Sequence, residues 1–258
     1  MSEFYAVTLV ATALVFLAAF SSLIAFRFGA PLLLLFLTIG LGAGIDGLGI
    51  EFSNFPLAYV IGSLALAVVL FDSGFGTSLQ SFRLSAGPAL TLATLGVLLT
   101  TILVGVAAHF LFGLTYLEGM LLGAILGSTD AAAVFFLLRI GGINIRDRVR
   151  SSLEVESGTN DPMAVFLTVG LTALITRPEM SAWQILPMFV QQMLLGLLLG
   201  YGLGWAVAWI LRNIRLSFDG LYAVLSVTLM LLVFSLTAVL GGSGFVAVYV
   251  AGVVVGNS

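Results

Sequence analysis

Apolar runs of about 18 residues or more, each long enough to cross the hydrocarbon of a bilayer, recur from one end of this chain to the other. Nine can be read, at about 4–25, 31–49, 56–75, 87–112, 116–138, 152–176, 184–210, 220–240 and 242–257. They predict an all-α membrane protein with about nine transmembrane helices in its 258 residues. Charge agrees: a soluble domain carries about a quarter charged residues, whereas this chain has 8% charged against 60% hydrophobic. The first run follows Met1-Ser2-Glu3 with no basic stretch and no clear small-residue cleavage site, so it reads as a retained span and not as a signal peptide.

Several chemistries are excluded at once. Cysteine is absent, which removes disulfides, thiolate metal sites and cysteine nucleophiles. The single histidine, His109, closes the fourth run and reads as an interfacial side chain, leaving neither a zinc site nor a Ser-His-Asp triad. There is no lysine, and the nine arginines form no aromatic-interleaved surface, so no nucleic-acid partner is expected.

The arginines do set orientation. Loops after odd-numbered runs hold Arg27, Arg83, Arg139, Arg146, Arg148, Arg150, Arg212 and Arg215, while loops after even-numbered runs hold only Arg177. By the positive-inside rule the odd-run loops are cytoplasmic and the N-terminus is outside. The "RDRVR" of 146–150 then reads as a solvated, orienting charge run between the fifth and sixth spans, in preference to a lipid-binding site.

Few charges are left at membrane depth: Asp72, Asp130, Glu154, Glu156 and Asp161. An aspartate at a helix centre costs roughly 2.5–3.5 kcal/mol on insertion scales and is by default a functional residue with a partner to be found. Asp72 and Glu154 lie close to cytoplasmic span ends, where water reaches. Asp130 has about ten largely apolar residues on either side. Its tetrad, Gly127-Ser128-Thr129-Asp130, is a poor helix interior and a good helix start, so the fifth span is expected to break there, with Asp130 capping the helix that starts after it. Broken helices at membrane depth line cavities or are buried in protein, and in transporters they bind substrate ions.

The sixth span opens with "SLEVESGTNDPMAVFL", 152–167. Glu156 and Asn160 are one helical turn apart, as are Ser157 and Asp161. Pro162 has no amide hydrogen to give the Gly158 carbonyl, which is thereby freed to face a cation. A set made only of oxygen ligands suits a hard, non-transition cation such as sodium or potassium.

"GSTDAAAV", followed some thirty residues later by "ESGTNDP", resembles the monovalent cation/proton antiporter superfamily, in the electroneutral branch that carries Asn-Asp where the electrogenic branch carries Asp-Asp. "GPALTLATLGVLLT" at 87–100, "VESGTNDPMAVFLT" at 155–168 and "GSGFVAVYVAG" at 242–252 look more narrowly like bacterial potassium/proton antiporters tied to cell-volume and pH homeostasis. The resemblance implies an ion site on Asp161 and Asn160, support from Glu156 and Ser157, and an unwound pair at Thr129 and Asp130. It also implies a fold of about thirteen helices in two inverted repeats, a homodimer in the bacterial inner membrane, and no cofactor beyond the transported K+ or Na+ and H+. On that plan 1–86 would be the dimer and scaffold part, 87–176 the ion-binding core, and 177–258 the connecting span and start of a second repeat. The chain would then be the N-terminal portion of a longer transporter, with a cytoplasmic regulatory domain possible outside it. A later span would supply an arginine to Glu156.

Burial penalises a charged carboxylate, so a proton and a cation become alternative ways to neutralise Asp161. Alternating exposure of the loaded site would give exchange. Asn160 adds no titratable charge, which makes one proton per monovalent cation the simplest count. An intramembrane aspartyl protease would also use two aspartates, here Asp130 and Asp161; the Asn before Asp161 and the missing GxGD-type motif speak against it. A cation channel with acidic rings is the other alternative. Gly196, Gly200 and Gly204, four apart on the seventh run, make one smooth stripe read as helix packing ahead of a dimer seam.

Overall fold

In the computed structural model, which describes residues 2–28, 32–177 and 179–258, every apolar run falls on helix, and no strand occurs among the described residues. The start of the second run, residue 31, lies outside the described residues. Among the described residues four stretches are long and apolar enough to cross a membrane: Phe55–Gly76, Ser85–Phe112, Ala182–Asn213 and Gly220–Val239. The chain divides into two compact units, Met1–Ala58 with Asp130–Ile145, and Tyr59–Thr129 with Arg146–Ser258.

The first unit holds α1 (Ser2–Phe28), which packs on α2 (Leu32–Ala43), and α7 (Ala131–Ile140). The turn after α2 is closed by the Leu48 and Ile50 amides donating to the Gly42 and Ala43 carbonyls, at 2.9 and 3.1 Å. Gly49 takes the left-handed conformation there, with φ 76°.

The second unit is a helical bundle with two apolar centres. Around the first, α3 (Phe55–Gly76), α9 (Ile185–Asn213) and α10 (Asp219–Val239) enclose α11 (Gly244–Gly256), whose residues Val246 to Tyr249 are all buried. Glycines let these helices approach to backbone contact. A Cβ on Gly200 of α9 would lie 2.7 Å from the Cα and carbonyl oxygen of Ala247, and one on Gly252 of α11 would lie 2.3 Å from the Phe71 carbonyl oxygen. The glycine stripe of α9 thus faces α11 of its own chain, with Gly196 against Ser243 and Val246 and Gly204 against Ala251.

Around the second centre lie α4 (Leu79–Thr91), α5 (Val97–Phe112), α6 (Tyr116–Ile125) and α8 (Asp147–Thr176). Pro88 sits inside α4, and the helix widens into a π turn over Leu92–Gly96 before continuing as α5. Pro88 leaves the Leu84 carbonyl without its helical donor, and the π turn follows four residues further on. The π turn packs on α8. Val97, directly after it, is buried with Met163 and Ala164. Large apolar side chains such as Leu103, Phe110, Leu198 and Val224 point outward, a coat suited to hydrocarbon and costly in water.

Gly200→Ala should therefore cost about 1–3 kcal/mol through overpacking against α11. Gly202→Ala, with nothing within 4 Å of the added methyl, should leave stability unchanged or raise it. Thermal denaturation of the two variants in detergent checks this, and equal midpoints would contradict the packing described.

Candidate functional site

The fifth apolar run contains the expected break. Helix α6 stops at Ile125, Leu126 and Gly127 form a turn, residues 128–130 are non-helical, and α7 begins at Ala131. Gly127 is held close: a Cβ there would come within 3.1 Å of Val97 Cγ1. The Asp130 carboxylate accepts from the Ala133 amide at 3.3 Å, the capping geometry expected from its sequence context. Asp130 belongs to the first compact unit, and the other site residues belong to the second.

Opposite the break runs α8, continuous from Asp147 through Pro162 to Thr176. Glu156, Ser157, Asn160 and Asp161 fall on adjoining turns of one side of the helix, and all four reach residues 128 and 129. The Thr129 hydroxyl stands 3.1 and 3.0 Å from the two carboxylate oxygens of Glu156, to which it donates, and accepts from the Asn160 amide nitrogen at 2.6 Å. Asn160 also donates to Glu156 Oε1 at 3.0 Å, closing a three-membered ring of contacts. Ser157 donates to the Thr129 carbonyl at 2.8 Å, satisfying a backbone group that the unwinding leaves without a helical partner. The Ser128 hydroxyl donates to Asp161 Oδ1.

Glu156 and Asn160 are buried, while Asp161 is half-buried. Among the described residues, Glu156 is held by two neutral groups, Thr129 and Asn160. The Ser157 hydroxyl turns instead to the Thr129 carbonyl. The second polar atom of the Asn160 amide, Oδ1, is buried and makes no hydrogen bond among the described residues. Gly158 points away from this network, to the Tyr249 ring and Ser73, and Pro162 is buried in the helix. Ser128 is the residue that sequence reasoning did not assign; its place one residue before Thr129 was the available signal. Among the described residues no three His, Cys, Asp or Glu side chains cluster as a resident metal site would require.

The arrangement separates two carboxylates that lie little more than a turn apart. Glu156 is consumed in fastening the unwound segment to α8. Asp161 meets a hydroxyl, whose oxygen can serve a hard monovalent cation as readily as its proton serves the carboxylate. Thr129→Val should therefore leave buried acceptors and a donor of Glu156 and Asn160 unmet, at about 1–3 kcal/mol, while Thr129→Ser keeps the contacts. A thermal midpoint that falls in the valine variant and is restored in the serine variant is the expected result.

Comparison with known proteins identifies relatives of this chain. Residues 11–258 match the family model described as sodium/hydrogen exchanger, transmembrane. The chain is 45% identical over 239 residues to the K(+)/H(+) antiporter NhaP of Alkalimonas amylolytica, covering 92% of this chain and 42% of that protein. It is likewise 45% identical over 234 residues to the K(+)/H(+) antiporter NhaP2 of Shewanella sp. (strain MR-4), covering 90% and 40%. The Na(+)/H(+) antiporter ApNhaP of Aphanothece halophytica is 27% identical over 223 residues, covering 83% and 41%. The chain thus spans about two fifths of the length of these relatives. The match and the long apolar helices together make it a multi-pass membrane protein.

Proposed function

The chain belongs to the sodium/hydrogen exchanger family, and on that premise we propose that it carries the ion site of a potassium/proton antiporter centred on Asp161. The observation that carries this reading is the division of labour on α8. Thr129 and Asn160 occupy Glu156, whereas Asp161 sits half-buried against a hydroxyl at the edge of an unwound segment. A proton or a desolvated monovalent cation neutralises that carboxylate, and each excludes the other. Ser128 and Asp161 are hard oxygen ligands, and Asn160 Oδ1 is a further buried acceptor able to take a donor or face a cation.

Asn160 contributes a dipole and no titratable charge, which favours one proton per cation and no net charge moved. Potassium is favoured over sodium because the 45%-identical relatives are named K(+)/H(+) antiporters and the Na(+)/H(+) antiporter stands at 27%. Exchangers are transporters and not enzymes, which sets aside peptide cleavage, and coupled exchange also sets aside a channel. The full-length protein would place about nine spans of this chain in the bacterial inner membrane, N-terminus outside, as part of a thirteen-helix homodimer. The arginine distribution supports that orientation.

Asp161→Asn should abolish potassium-driven proton movement in vesicles containing the full-length protein, while insertion and yield are retained. A pH-sensitive dye reads the flux, and wild-type rates in this variant would remove Asp161 from the mechanism.

A further inference from the structure

Helix α8 is backed at its proline-weakened turn by a rigid aromatic side chain, with the Ser73 hydroxyl beside it. At about 100° per residue, Gly158 lies nearly opposite Glu156 on the helix, and it presents bare backbone. A Cβ there would lie 2.4 Å from Cε2 and 3.0 Å from Cζ of Tyr249, so the tyrosine ring rests directly on the main chain of α8. The same turn lacks a helical hydrogen bond, because Pro162 offers no N–H to the Gly158 carbonyl, and helices bend most readily at such points. Asn160 and Asp161 lie between Gly158 and Pro162. Where their side chains stand therefore depends on what supports the turn from behind.

Tyr249 is built to give that support. It is 6% exposed, and its aromatic ring has few torsions through which to yield. Its own helix is fixed by backbone contacts on two sides. A Cβ on Gly74 of α3 would lie 2.2 Å from the Tyr249 carbonyl oxygen, and Gly200 and Gly204 of α9 close on Ala247 and Ala251, which flank Tyr249 on α11.

We propose that Tyr249 is a positioning residue for the exchange reaction: its ring, seated on Gly158, fixes the proline-weakened turn of α8 and so sets where the Asp161 carboxylate stands relative to Ser128 and Thr129. The proposal rests on the reading of Asp161 as the ion site.

The test is a bump and a hole in the full-length protein, with potassium-driven proton flux measured in vesicles. Gly158→Ala drives a methyl into the ring and displaces the turn, and is expected to raise the apparent KM for potassium about tenfold, with a smaller effect on the maximal rate. Gly158→Ala combined with Tyr249→Leu removes the clashing ring atoms and should return KM to within about threefold of wild type, a coupling that neighbouring residues show and independent ones do not. Tyr249→Phe, which keeps the ring, should hold KM far closer to wild type than Tyr249→Leu alone; this pair decides the question if Gly158→Ala does not fold. A double variant no better than Gly158→Ala, or a Tyr249→Leu protein that loses thermal stability with wild-type KM, would reduce Tyr249 to a packing residue and overturn the proposal. Wild-type vesicles without potassium-driven proton flux would overturn the transport reading itself, and this inference with it.

Discussion

The structure around the site depends on one hydroxyl. Thr129 sits in three non-helical residues, and its side chain simultaneously donates to Glu156 and accepts from Asn160. Without it, a buried carboxylate and a buried amide would have only each other, and the unwound segment would have one fewer tie to α8. Unpaired polar groups away from water cost more than a hydrogen bond returns, so the three groups hold together or not at all. That constraint explains how a chain with 8% charged residues keeps an ionisable pair on one helix. Glu156 is engaged by Thr129 and Asn160, whereas Asp161 meets the Ser128 hydroxyl, and on the reading proposed above it is Asp161 that exchanges.

The surrounding helices serve this geometry by holding α8 on its remaining sides. The π turn at Leu92–Gly96 and Val97 pack beside Met163 and Ala164, and Val97 also meets Gly127 at the foot of the break. From behind, α11 stands clamped by glycine contacts to α3 and α9. A helix interrupted by Pro162 would otherwise have latitude at the turn where position matters most.

Local chemistry was legible in the residues, and long-range contact was not. The helical runs, the break at Gly127-Ser128-Thr129-Asp130, the capping role of Asp130 and the one-turn spacing of Glu156 and Asn160 all come from propensity and periodicity over a few positions. Thr129 was marked through its place in the unwound pair, but its bridging of Glu156 to Asn160 joins residues 27 and 31 positions apart. Ser128 reaches Asp161 across 33 positions, and its place beside Thr129 signals a site residue without naming that partner. Tyr249 reads as one more apolar residue of a buried helix, and only the bare backbone at Gly158 shows what its ring touches. The π turn was equally hidden, since Pro88 announces a disturbance in the helix without saying how the chain absorbs it.

On the function proposed above, proton and potassium compete for one carboxylate. Its most direct test is the apparent KM for potassium in vesicles of the full-length protein, measured across pH on the side to which potassium is added. Competition at a single group predicts that KM rises as pH falls, approaching about tenfold per pH unit in the acid range, while the maximal rate extrapolated to saturating potassium stays constant. A KM independent of pH, with a maximal rate that falls instead, would mean that proton and cation occupy separate sites, and would contradict exchange at Asp161.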